Sequence, residues 1–238
     1  MKRNWNITSL LTPVFVVLLQ AATFAQGEGG EETAAEATSF VSLIVDAGPI
    51  GWAVIVLSVI AIALVIEHFL SIQRDQLIPP DLVAEVDRLL QEEQYDEALE
   101  LCEMEPSVFT NVVAAGITKV GMGVDEIEKS IHDTLENERV RLENKISWLN
   151  LIGNIAPMMG LLGTVVGMIS AFQKIETTRN PSPSQLAGGI YQALVTTAEG
   201  LIVGIPVLAA YFFFRNRLNH LLSETGLIVE EIFDQFKM

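Results

Sequence analysis

Five polar side chains stand where an apolar sequence offers them no water. Thr164 interrupts the run from Ala156 to Gly167, and Gln192, Thr196, Thr197 and Glu199 interrupt the run from Gly189 to Pro206. Hydroxyl and carboxamide groups in such a setting hydrogen-bond across a helix interface or line a path for an ion. A carboxylate there must face a protein interior or water, or else hold a proton, so Glu199 is a functional candidate by default. Its alternative role is structural, as a hydrogen-bond or ion-pair partner at a subunit interface. For Thr164 the alternative to a polar path is close helix packing alone.

Small residues surround these groups at helical spacing. Gly153, Pro157, Gly160, Thr164, Gly167 and Ala171 fall on one stripe when counted in steps of three and four. Leu161, Leu162, Val165, Ile169 and Phe172 fall on the opposite side. In the second run Gln192, Thr196 and Glu199 share one side, while Ala193, Thr197, Gly200 and Gly204 form a neighbouring one. Small residues let membrane helices approach closely, so Gly153, Pro157, Gly160, Gly163, Gly167, Gly189, Gly200, Gly204 and Pro206 are read as helix-packing positions.

The rest of the chain narrows the chemistry. There is no phosphate-cradling Gly-rich loop, no Gly-x-Ser-x-Gly elbow and no His-Glu-x-x-His, so the chain is not expected to be an enzyme. Cys102 is the single cysteine, and His68, His132 and His220 lie far apart, so neither a metal site nor another cofactor is expected. A net charge of −16 argues against a nucleic-acid partner, because phosphate binding needs clustered Lys and Arg. With 50% hydrophobic and 18% charged residues, the composition fits a membrane protein with a polar portion.

The elements that must position the polar groups are read as follows. Residues 1–25 have the layout of an export signal, with Lys2 and Arg3 ahead of a short apolar core from Leu10 to Leu19. An acidic tail covers 26–39. Three transmembrane helices follow at 40–69, 148–172 and 186–214, because open sheets cannot cross lipid. A helical region at 70–147 and a C-terminal helix at 215–238 lie on one side, and a short loop at 173–185 lies on the other. Arg74, Arg139, Arg141, Lys145, Arg215 and Arg217 flank the spans on the first side, which makes it cytoplasmic and puts the mature N-terminus outside. Pro79 and Pro80 open one helix of the cytoplasmic region, and Pro106-Ser107 opens another. From Asp125 an apolar pattern runs unbroken into the second span. Such amphipathic extensions, with few soluble residues to cover them, favour burial against other copies of the chain.

The two runs closely resemble the motifs of the MotA/TolQ/ExbB proton-channel family. Ala-Pro-x-x-Gly-Leu-x-Gly-Thr-Val-x-Gly is met at Ala156–Gly167, and Gly-Ile-x-x-Ala-Leu-x-Thr-Thr-x-x-Gly-Leu-x-x-x-Ile-Pro at Gly189–Pro206. The signal-like N-terminus looks like that of longer ExbB-type members. The resemblance implies an all-α membrane protein with three spans, the last two drawn out into long cytoplasmic helices, in a homopentameric ring. It implies an inner-membrane location and a dimer of single-span ExbD/TolR-like partners inside the ring, with the proton-carrying Asp on the partner. A TonB-like protein joins the partner set in the ExbB manner. The function implied is an ion-driven motor energising transport across the outer membrane; a TolQ-like envelope motor and a non-conducting scaffold are the alternatives. Thr164 and Thr197 match the family's pore-facing threonines. Many ExbB and TolQ members carry Glu where this chain has Gln192, and Glu199, two turns on, is the candidate substitute.

Overall fold

A computed structural model describes residues 48–177 and 183–234. The expected signal, the acidic tail, residues 40–47 of the first expected span and the tip of the 173–185 loop lie outside the described residues. Within them all regular structure is helical: α1 (Gly48–Ser71), α2 (Arg74–Leu77), α3 (Pro80–Gln91), α4 (Tyr95–Met104), α5 (Val108–Ile117), α6 (Val124–Thr177) and α7 (Pro183–Phe233). Three of these, α1, α6 and α7, are long and apolar enough to cross a membrane.

Local sequence sets the boundaries. Pro80 occupies the first turn of α3, where its missing N–H leaves nothing unsatisfied. Ser107 caps α5 reciprocally: its hydroxyl accepts from the Thr110 N–H at 3.1 Å, and the Ser107 N–H donates to Thr110 Oγ1 at 2.7 Å. Gly121 and Gly123 turn the chain with φ of +88° and +111°. Asp125 and Glu126 then sit in the first turn of α6, where acidic groups suit the helix dipole. The helix runs 54 residues without a break, through Pro157.

The helices α6 and α7 form a long antiparallel hairpin. Gly153 faces Leu208, Gly160 faces Thr197, Gly167 faces Ala193 and, far below, Leu135 faces Gly226. The paired numbers keep a nearly constant sum, so the register holds along the hairpin's length. Helix α1 packs on this pair and runs parallel to α7. Its first residue, Gly48, meets the Gln192 carboxamide, and the ring of its His68 lies 5.8 Å from that of Phe214.

Helices α3, α4 and α5 wrap the lower parts of α6 and α7. Val86, Ala98, Phe109, Val112 and Val113 are buried with Ile127, Ile131, Leu218, Leu222, Val229 and Ile232 in one core. Asn111 Nδ2 donates to Glu138 Oε1 at 2.9 Å, and Ser130 Oγ to the Ala115 carbonyl at 2.9 Å, tying α5 to α6. Arg74 reaches Glu224 of α7 at 2.8 Å. The short helices of the same chain thus cover part of the apolar faces of these extensions, while Val140, Trp148 and Leu227 stay exposed. Helix α7 continues unbroken through Gly226, and a cavity of about 350 Å³ lies beside it, lined by residues including Ile131, Leu135 and Phe233.

Candidate ion-path site

Glycines bring α6 and α7 nearly into backbone contact. A methyl group added to Gly200 would fall 2.6 Å from the Ala156 carbonyl oxygen. One added to Gly160 would fall 3.0 Å from the Thr196 carbonyl oxygen, and one on Gly167 2.9 Å from Ala193 Cβ. Gly189 meets Ala171 in the same way. Pro157 removes one backbone hydrogen bond from α6, freeing the Gly153 carbonyl. Gly204 covers that spot, resting against the Pro157 ring and the Gly153 oxygen. Interfaces of this kind hold by close packing, since lipid supplies no hydrophobic drive between helices.

The buried line on α6 is Gly153, Ala156, Gly160, Gly163, Gly167 and Ala171. It is rotated slightly from the stripe read in the sequence, which ran through Pro157 and Thr164. The rotation follows from Gly160 and Gly163, which together make room for Thr196 and Thr197. The glycine faces are thus used up within one chain and do not point outward together with the hydroxyls.

Each polar candidate now has a place. Thr196 is buried, its side chain pressed against Gly163. Thr197 is half-buried, and its hydroxyl donates across the hairpin to the Gly160 carbonyl at 3.1 Å. Thr164 is half-buried, and its hydroxyl donates to the Leu161 carbonyl at 2.7 Å. Gly163 meets Thr196 and Gly160 meets Thr197, so continuing around α6 past Gly160 places Thr164 on the Thr197 side of the contact. The numbers 164 and 197 also fit the hairpin register, so the two hydroxyls lie at one level.

Gln192 and Glu199 lie on the other side. They are seven residues apart, about 20° around the helix, whereas Thr197 is about 140° from Gln192. The Gln192 carboxamide packs on Gly48 of α1. Glu199 is half-buried, and both its carboxyl oxygens are shielded from solvent without a hydrogen-bond partner. The structure therefore brings Thr164 and Thr197 together and separates them from Gln192 and Glu199, with Thr196 in the contact between.

Two polar residues escaped the sequence reading. Asn150 and Asn154 stand one turn apart on α6, with Asn154 Nδ2 donating to Asn150 Oδ1 at 2.8 Å. Asn150 lies within about 40° of Thr164 around the helix. Below them a cavity of about 150 Å³ is lined by Glu143, Ser147, Tyr211 and Arg215 among others. Arg215 is five full turns from Thr197, on the same line of α7. A polar edge thus runs from the paired threonines to the charged end of the span. The signal for it was the recurrence of Asn at i and i+4 in an otherwise apolar run.

Comparison with known proteins identifies the family. The model of the MotA/TolQ/ExbB proton channel family matches residues 104–226, just over half of the chain. A biopolymer transport protein ExbB of Xanthomonas campestris pv. campestris is 31% identical over 110 residues, covering 46% of this chain and 44% of that protein. A Tol-Pal system protein TolQ of Haemophilus influenzae is 30% identical over 103 residues, covering 43% of this chain and 45% of that protein. The matched stretch therefore spans less than half the length of these relatives. In fold the chain resembles one in the structure of C. jejuni MotAB, with a TM-score of 0.58 over 95% of this chain and 88% of that one at 17% identity. The chain belongs to the MotA/TolQ/ExbB proton channel family and is a multi-pass membrane protein.

Proposed function

We propose that the chain is the ring-forming subunit of an ion-driven motor in the bacterial inner membrane. Copies of it, five in this reading, surround a dimer of single-span ExbD/TolR-like partners. Protons pass along the edge that carries Thr164 and Thr197, and the partner, with a TonB-like protein in the ExbB manner, delivers the work to the outer membrane. The helical base lies in the cytoplasm and the loop between α6 and α7 outside.

One observation carries this reading: the two threonines lie level on one open edge of a hairpin whose glycines at 153, 160, 163, 167, 189, 200 and 204 are locked in packing. Hydroxyls at such a place exchange hydrogen bonds with a passing ion's water or with a partner's carboxyl group. Asn150 and Asn154 continue the edge toward the cytoplasmic end. Work of the Tol type remains a second reading, because the TolQ relative is as similar as the ExbB one.

The test is proton flux through vesicles containing the chain and its single-span partner. Flux driven by a pH gradient is expected, and Thr197→Val is expected to lower it about tenfold, the effect of one lost hydrogen bond on a barrier. Thr197→Ser is expected to retain it. Wild-type vesicles without flux would leave a scaffold and overturn the motor.

A further inference from the structure

Glu199 is unusual in a way the hydroxyl edge does not explain. Residues 48–66 of α1, 146–173 of α6 and 183–214 of α7 contain no other Asp or Glu and no Lys, Arg or His. The only other titratable groups in those stretches are the phenols of Tyr191 and Tyr211, each at least two turns away along α7. Counted from the Gly48–Gln192 contact, Glu199 is level with Ile55, next to Val54, which is 1% exposed. His68 lies at the far end of α1, beside Phe214. Among the described residues no positive group from a packed element faces the carboxyl.

A second copy of the chain does not change this, because its spans are equally free of cations. Burying an ionised carboxylate without a partner is expensive, and the group stands midway between Pro183 and Arg215. We propose that Glu199 is a reversible proton-binding site at the α1–α7 contact, separate from the threonine edge. The site belongs to the protomer itself. It does not rest on the motor reading, and it holds for the chain in any assembly.

The site faces α1, so its occupancy bears on how α1 sits against α7. An uncharged carboxyl group is tolerated at this apolar level of α1, whereas an ionised one draws water into the contact. Gln192, two turns above, keeps the start of α1 in place without titrating.

The experiment is labelling of the full-length chain in native membranes with dicyclohexylcarbodiimide, located by mass spectrometry. This apolar reagent takes the proton of a carboxylic acid onto nitrogen while the carboxyl oxygen adds to its central carbon, and the adduct rearranges to a stable acylurea. The expected result is an adduct on Glu199 that falls about tenfold per pH unit on the alkaline side of its titration. A water-soluble carbodiimide is expected to label Glu199 far less. Glu199→Gln is expected to remove the adduct while the protein still inserts and assembles. Absence of an adduct at every pH, or labelling indifferent to pH, would overturn the proposal. Protection by sodium at constant pH would make this a sodium site and overturn it equally.

Discussion

The α6–α7 contact has two edges, and they differ in kind. One carries Thr164 and Thr197, whose hydroxyls are held by backbone carbonyls at 2.7 and 3.1 Å and whose side chains are half-exposed. The other carries Gln192 and Glu199, faces α1, and hides a carboxyl group with no partner. A satisfied hydroxyl can trade one hydrogen bond for another at little cost, so the first edge suits groups that pass by. An unsatisfied carboxyl has nothing to trade, so the second edge suits a proton that stays and leaves. The same hairpin therefore offers a path on one side and a storage site on the other.

The largest expected effect comes from wedging the hairpin itself. Gly200→Leu would drive a side chain into the Ala156 carbonyl 2.6 Å from the new Cβ, and backbone on both sides resists. Overpacking of this sort costs about 1–3 kcal/mol and more against backbone, so folded protein in membranes is expected to be lost. Gly188→Ala, where a methyl group meets open space, is expected to express as wild type. Equal expression of the two variants would mean that neither edge is fixed by the glycine contact.

A smaller effect isolates the helical base from both edges. Cys102 is buried in α4, and burial pushes its thiol up to about 11. A raised value favours the neutral form in the folded chain. That contribution to stability is present below the ordinary thiol range and is lost as pH rises through about 11. Maleimide at neutral pH is therefore expected to leave Cys102 unmodified in the folded protein and to react after denaturation. Rapid reaction without denaturant would show that the base opens on its own.

Much of this was legible in the sequence because membrane helices announce themselves by length and apolarity. The unbroken run from the Asp125 region through Pro157 followed from the absence of any earlier breaker, and the glycines at 153, 160, 167, 200 and 204 declared close packing. What the sequence left open was rotation. A stripe of small residues is wide enough to admit two helical phases, and the choice between Pro157–Thr164 and Ala156–Gly163 depends on which residues of α7 arrive opposite. Gln192, Thr196 and Glu199 share a side on a helical wheel, yet they meet α1 or α6 according to a few tens of degrees. The cover supplied by α3–α5 was hidden for a different reason: a chain's own short helices and a neighbouring copy satisfy the same amphipathic pattern.

Disulfide cross-linking inside the assembled complex tests the two edges most directly. Cysteines at Thr164 and Thr197 are paired with cysteines along the partner's membrane helix, and cysteines at Gln192 and Glu199 with cysteines at Gly48 and Val54 of α1. The buried, unreactive Cys102 leaves the background clean. The account predicts that the threonine positions cross-link to the partner and the Gln192 and Glu199 positions only to α1. Partner cross-links from position 199, with none from 164 or 197, would contradict it.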